Sequence, residues 1–110
     1  MSIMATSKPV PTLVRYTPKA GGEEALLGLV RQHWPTLAKL GLVSATPPQL
    51  WRAYDKDSRK LSFLELFEWK DEGASNVAHQ TPEVMAMWEP MGHVLEKLEI
   101  IKVERIAAEA

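Results

Sequence analysis

The segment KLSFLELFEWK, residues 60–70, decides the fold of this chain. Neighbouring side chains of an extended strand point to opposite faces, and here both faces carry large apolar groups. One face would hold Leu61, Phe63, Glu65, Phe67 and Trp69, and the other Ser62, Leu64, Leu66 and Glu68. Helices of the same chain can cover one face. Because a chain of 110 residues has little left to cover the other, we expect a second copy to cover it.

The residues before this segment predict a strand and a long helix. Residues 12–17 are rich in β-branched and aromatic side chains, which is typical of a strand. A one-sided apolar stripe that begins after Glu23 predicts a helix, with a kink or restart at Pro35 and an end at Gly41.

Residues 49–55 and 60–70 form the clearest hairpin pattern, since two strand-like runs are separated by the polar turn at residues 56–59. A short helix is expected after the second of these strands, over residues 71–79. Its first residue is an aspartate, a residue type that is favoured at helix starts.

The pair Thr81 and Pro82 predicts the start of another helix, with threonine as N-cap and proline at the first helical position. Its apolar stripe extends to Leu98, and residues 99–106 would form the last strand. The order of the main elements is therefore β-α-β-β-α-β, the ferredoxin-like arrangement of the α+β class, with an antiparallel sheet and helices on one face.

Length and composition predict one domain over residues 12–106, a flexible tail over residues 1–11 and a short tail over residues 107–110.

The 13 basic and 14 acidic side chains give a net charge of −1, which argues against nucleic acid as a partner. The chain has no cysteine, so disulfides and thiolate metal sites are excluded. No stretch has the ~20 apolar residues of a membrane span. We expect a cytoplasmic protein without a membrane contact.

The segments LSFLELFEWKDE, residues 61–72, and ASNVAHQTPEVMAMWEP, residues 74–90, resemble the antibiotic biosynthesis monooxygenase (ABM-like) family of dimeric α/β barrels. Shared features are a strand ending in tryptophan, a short helix with a histidine near its end, and Ser/Thr-Pro before the next helix. The resemblance implies a homodimer in which two sheets pack face to face, and a small pocket between sheet and helices. Some members of this family oxidise aromatic polyketides with dioxygen and no cofactor, others degrade haem, and many have no established activity.

His79 is the candidate catalytic residue, because it matches the family's histidine at the end of the short helix. An imidazole there could take a proton from an acidic phenol, leaving a phenolate that dioxygen can attack. The alternative is a structural role in which His79 caps the end of the short helix.

Trp51, Trp88 and Tyr16 are candidates for an aromatic-binding pocket, although in a small domain the core is the favoured place for Trp69 and Trp88. Arg15 and Arg52 could bind a ligand oxygen, or could pair with Glu65 or Glu68 across the strands. His33 is grouped with the pocket residues, but its place on an apolar stripe also fits a hydrogen-bonded core histidine.

We expect neither a metal nor another cofactor. The three histidines have no metal-binding spacing. Haem is disfavoured because VMAMWEP, where haem-degrading relatives carry their axial histidine, offers only Glu89. An RNA-recognition module is disfavoured by Glu65 and Glu68 on the central strand.

Two hypotheses remain: a cofactor-free monooxygenase acting on a small aromatic or quinol-like molecule, and a non-catalytic dimeric domain that binds a small molecule or has a regulatory role.

Overall fold

The structure, a computed structural model, describes residues 8–109. Its elements are the strand β1 (Val10–Pro18), the helix α1 (Glu23–Lys39), the strands β2 (Gln49–Tyr54) and β3 (Leu61–Trp69), the helices α2 (Ala74–Ala78) and α3 (Pro82–Val94), and the strand β4 (Leu95–Lys102). The strands form one antiparallel sheet in the order β2-β3-β1-β4. The predicted ferredoxin-like α+β fold is confirmed.

One face of the sheet, the helix face, carries the core. Val14 and Tyr16 of β1 lie opposite Glu65 and Phe63 of β3, so their side chains share this face. They are buried together with Phe67 and Trp69, and the helices supply the other half of the core: Leu26, Val30, Leu37, Val84 and Met91. The alternation predicted for residues 61–69 is therefore confirmed.

The other face of the sheet has no helix against it in the described chain. We call it the open sheet face; it is formed by Leu13, Arg15, Trp51, Leu64, Leu66, Glu99 and Ile101. Trp51 is 45% exposed and Ile101 50% exposed, while the leucines are half-buried. This face presents the apolar surface that the sequence predicted would need a second cover.

Several boundaries differ from the sequence-based expectations: the short helix begins at Ala74 rather than residue 71, and the last strand covers Leu95–Lys102 rather than residues 99–106. The first strand begins at Val10 rather than Thr12; of the tail expected over residues 1–11, residues 1–7 lie outside the described part. The last helix ends at Val94, so Leu95 and Leu98, which were expected to extend its stripe, belong to β4. Pairing decides this boundary, because Leu98 lies opposite Tyr16 in the β1–β4 ladder.

The helix α1 continues through Pro35 as a single helix, so the restart expected there does not occur. The helix ends as predicted: Gly41, which follows the C-cap Leu40, has a φ of 72° that favours glycine. Within residues 8–109 no helix is long and apolar enough to cross a membrane.

Candidate functional site

A cavity of about 290 Å³ lies on the helix face of the sheet, between β1, β4 and the helices. Its wall is mainly apolar and aromatic, formed by Phe67, Trp69, Trp88, Met91, Leu98 and Ile100 among others. The polar side chains in this wall are those of Tyr16, His33, Ser75 and His79. An apolar wall with a few converging polar groups is typical of a small-molecule site.

Regular secondary structure positions each polar group of the cavity. Tyr16 is two residues from Val14 in β1, so both side chains lie on the helix face. His33 follows Val30 by three residues and precedes Leu37 by four, which places it on the buried stripe of α1. His79 is the C-cap residue of α2. The polar groups of the cavity therefore come from one strand and two helices that are far apart in sequence.

One ring nitrogen of His79 makes a hydrogen bond within the protein, and the other is available to accept a hydrogen bond. Its Nδ1 lies 2.7 Å from the carbonyl oxygen of Ser75, four residues earlier in the same helix. Since a carbonyl oxygen only accepts, Nδ1 must carry a proton, and in the neutral ring Nε2 is then the free acceptor. The ring packs edge-on against Trp88 with 4.8 Å between centroids. His79 thus closes the end of α2, as the structural alternative predicts, and also lines the cavity.

Tyr16 and His33, which line the cavity, form a buried hydrogen-bonded cluster with Glu65. The Tyr16 hydroxyl donates to Glu65 Oε1 at 2.5 Å, and His33 Nδ1 lies 2.8 Å from the same oxygen. Glu65 is fully buried, and its Oε2 has no partner among the described residues. Burial raises the pKa of Tyr16 far above its ordinary value, and the nearby Glu65 carboxylate raises it further. Tyr16 is therefore a neutral hydrogen-bond donor.

Two polar residues of the site, Ser75 and Glu65, are not predicted from the sequence. The sequence suggests Glu65 as an ion-pair partner of an arginine, whereas it bonds to Tyr16 and His33. The available signal was its position between Phe63 and Phe67, which places an acidic group on the covered face of the strand. A carboxylate buried there needs hydrogen-bond donors.

The structure brings His79, Trp88, Tyr16 and His33 together, but not the other predicted pocket residues. Arg15 and Trp51 lie on the open sheet face, because each is one residue out of phase with the helix face. Arg52 is on the helix face of β2, away from the cavity, beside Leu27 and Val30.

The cross-strand ion pair predicted for Arg15 exists with a different partner. Its Nε lies 3.8 Å from Glu99 Oε1 of β4, directly opposite in the ladder, rather than near Glu65 or Glu68. Glu68 instead accepts a hydrogen bond from Ser44 at 2.7 Å. The cavity therefore has no arginine from the described residues in its wall.

Metal ligands do not converge in the described part of the chain. No group of three or more histidine, cysteine, aspartate or glutamate side chains among residues 8–109 could hold a metal ion. The polar groups of the cavity itself are imidazoles, a phenol and a hydroxyl.

Replacing Tyr16 by phenylalanine should destabilise the fold by about 1–3 kcal/mol near pH 8, because a hydrogen bond to a buried carboxyl group is lost. The contribution of the Tyr16 hydroxyl to the stability of the fold should decrease at high pH. The folded protein holds the Tyr16 proton more tightly than the unfolded chain does. This contribution is complete below the ordinary tyrosine pKa of about 10 and is lost as the pH rises above it.

Denaturant unfolding of both proteins between about pH 8 and pH 11 measures this difference. The gap in unfolding free energy between wild type and Tyr16→Phe should narrow at the alkaline end. A gap of constant size would contradict the buried position of the phenol.

Comparison with solved structures shows which known fold this chain shares. No protein-family model matches the sequence, and no curated protein is significantly similar to it. Among solved structures, the chain is similar to an antibiotic biosynthesis monooxygenase, with a TM-score of 0.66, 13% identity and coverage of 89% of this chain and 99% of the other.

Two further structures share the fold over nearly their whole length. SnoaB, a cofactor-independent oxygenase from Streptomyces nogalater, has a TM-score of 0.66 at 12% identity, with coverage of 94% and 100% of the two chains. A protein from Arabidopsis thaliana has a TM-score of 0.72 at 11% identity, with coverage of 93% and 100%. The chain therefore has the ABM-like fold that the resemblance predicted.

Proposed function

We propose that the cavity binds a small hydroxyaromatic or quinol-like molecule, and that His79 removes a proton from it so that dioxygen oxidises the ring without a cofactor. The observation that carries this proposal is the hydrogen bonding of the His79 ring. Its Nδ1 is bonded to Ser75, which leaves Nε2 as a proton acceptor beside an aromatic wall. SnoaB, which shares the fold, is described as a cofactor-independent oxygenase, and this supports the same chemistry.

The cavity suits a flat ligand of one or two rings. Its volume of about 290 Å³ is just below the range of small-molecule sites, which is roughly 300–1,000 Å³. The faces and edges of Trp88 and Phe67 offer contacts that aromatic rings favour.

The reaction balances with the substrate and dioxygen alone. His79 takes the hydroxyl proton, and the resulting phenolate gives electrons to dioxygen, so that a bond forms between a ring carbon and oxygen. The protonated His79 returns its proton to the peroxide, giving a hydroperoxide. Loss of the ring hydrogen from that carbon and cleavage of the O–O bond then release water and leave a quinone. One dioxygen is consumed for each substrate, with one oxygen atom in the quinone and one in water.

Oxygen consumption tests this proposal directly. Chelator-treated protein is mixed with a panel of phenols, naphthols and hydroquinones, and dioxygen uptake is compared with quinone formation. We expect uptake above the uncatalysed rate for at least one substrate, with equal amounts of dioxygen consumed and quinone formed. No uptake across the panel would contradict the proposal.

The second candidate function is a non-catalytic domain that binds a small molecule in the same cavity. The observation that favours it is the absence of an arginine from the cavity wall in the described chain, since Arg15 faces the other side of the sheet. A phenolate would have only the protonated His79 as a counter-charge. Tight binding of a hydroxyaromatic ligand without oxygen uptake would favour this function.

The open sheet face supports a homodimer under either function. Its apolar centre, with Leu13, Leu64 and Leu66 beside the exposed Trp51, would be buried if two copies packed sheet to sheet. The chain is 12.3 kDa, and sedimentation should give about twice this mass at micromolar concentration.

Leu66→Lys should convert this dimer to a monomer, because it places a charge in the centre of the interface. Met85→Lys is the matched control: Met85 is 46% exposed on α3, away from the open sheet face. A monomeric wild-type protein, or a Leu66→Lys variant that stays dimeric, would contradict this interface.

A further inference from the structure

We propose that His33, oriented by Glu65, is a second hydrogen-bond acceptor of the cavity, so that the site prefers flat ligands with donors on two separate edges. This inference rests on the proposed function only in taking the ligand to be hydroxyaromatic. His33 is 4% exposed and lines the cavity from α1, whereas His79 lines it from the end of α2.

The two imidazoles lie around one indole. The ring centroid of Trp88 is 6.3 Å from that of His33 and 4.8 Å from that of His79. A ring bound against Trp88 would therefore lie close to both histidines, one from α1 and one from the end of α2. The histidines come from different helices, so their spacing is held by the packing of the core rather than by one turn of helix.

Hydrogen bonding to Glu65 decides which nitrogen of His33 is available. Tyr16 stays protonated and donates to Glu65 Oε1, so this oxygen acts as an acceptor. His33 Nδ1, 2.8 Å from the same oxygen, is then the second donor. In the neutral ring Nε2 carries no proton and is left for the ligand. Glu65 acts through His33 and is thus a positioning residue.

A ligand with hydroxyl groups on one edge can satisfy only one of the two acceptors. Because a buried polar group without a partner is unfavourable, the second acceptor should discriminate between ligands. Hydroquinone and catechol are suitable probes, since they are isomers that differ only in whether the two hydroxyls lie on opposite edges or side by side. We expect hydroquinone to bind roughly tenfold more tightly.

Calorimetry without oxygen measures this preference before any turnover. His33→Phe should reduce it to about equal binding, while His93→Phe, which changes an exposed histidine at the end of α3, should retain it. Glu65→Gln should also reduce it, because the glutamine amide can donate to Nδ1 and shift the proton of His33 to Nε2. Glu68→Gln, on the opposite face of β3, should not.

Nitrogen NMR of the wild-type histidines gives a readout that needs no variant. His33 should carry its proton on Nδ1, and hydroquinone should shift the Nε2 signal more than catechol does. Equal affinity for both isomers in the wild type, an unchanged preference in His33→Phe, or a proton on Nε2 of the free protein would overturn the inference. If the preference is found but no hydroxyaromatic compound supports oxygen uptake in air, only the proposed function fails.

Discussion

Oxygen uptake with a hydroxyaromatic substrate should fall by about a hundredfold to ten-thousandfold when His79 is replaced by glutamine, the range that general-base catalysis contributes. Glutamine can keep a hydrogen bond to the Ser75 carbonyl, so the end of α2 should stay in place. It cannot take up a proton, however, and the phenol then ionises only as far as the solvent allows. Substrate binding should change much less than the rate.

His93→Gln is the matched control for this variant. His93 is exposed in the last turn of α3 and is not part of the cavity wall, so its replacement should leave the rate unchanged. Equal rates in wild type and His79→Gln would show that His79 has only its structural role at the helix end. The base would then have to be sought elsewhere in the cavity.

Replacing Glu65 by alanine should destabilise the fold by about 3–5 kcal/mol, the largest stability effect that we expect from a polar residue. Two donors, the Tyr16 hydroxyl and His33 Nδ1, would lose their shared acceptor, and both of these side chains are buried. The lost side chain would also leave a space in the core, since Glu65 is fully buried.

Glu68→Ala provides the comparison on the same strand. Glu68 is half-buried on the opposite face and accepts one hydrogen bond, from Ser44, so its loss should cost about 1 kcal/mol. Denaturant unfolding of both variants at neutral pH measures the difference. Similar small losses for the two variants would mean that the cluster around Glu65 does not contribute to the stability of the core.

The sequence predicts the fold well where one periodicity holds without competition. Alternation over residues 61–69 correctly gives both faces of β3, because a strand has a fixed period of two. The end of α3 is harder, because Leu95 and Leu98 are three residues apart, a spacing that fits a helix and not the period of two of a regular strand. Only the pairing of Leu98 with Tyr16 assigns them to β4, and that partner is far away in sequence.

The site is only partly predictable from the sequence, because the face of the sheet on which each residue lies must also be assigned correctly. Arg15 and Tyr16 are neighbours in one strand, as are Trp51 and Arg52 in another, and neighbours cannot share a face of a sheet. The predicted pocket residues therefore could not all lie on one face of the sheet. The distance that joins Glu65 to His33, by contrast, depends on how α1 packs on the sheet, which no local pattern in the sequence specifies.

The most direct test of the account is turnover under isotopically labelled dioxygen. Chelator-treated wild-type protein and His79→Gln are incubated with the hydroxyaromatic panel, and the products are analysed by mass spectrometry. We predict a quinone that carries one labelled oxygen atom, formed by the wild type and almost absent with His79→Gln. Products without the label, or equal labelling by the two proteins, would contradict the proposal that this cavity activates its substrate for dioxygen through His79.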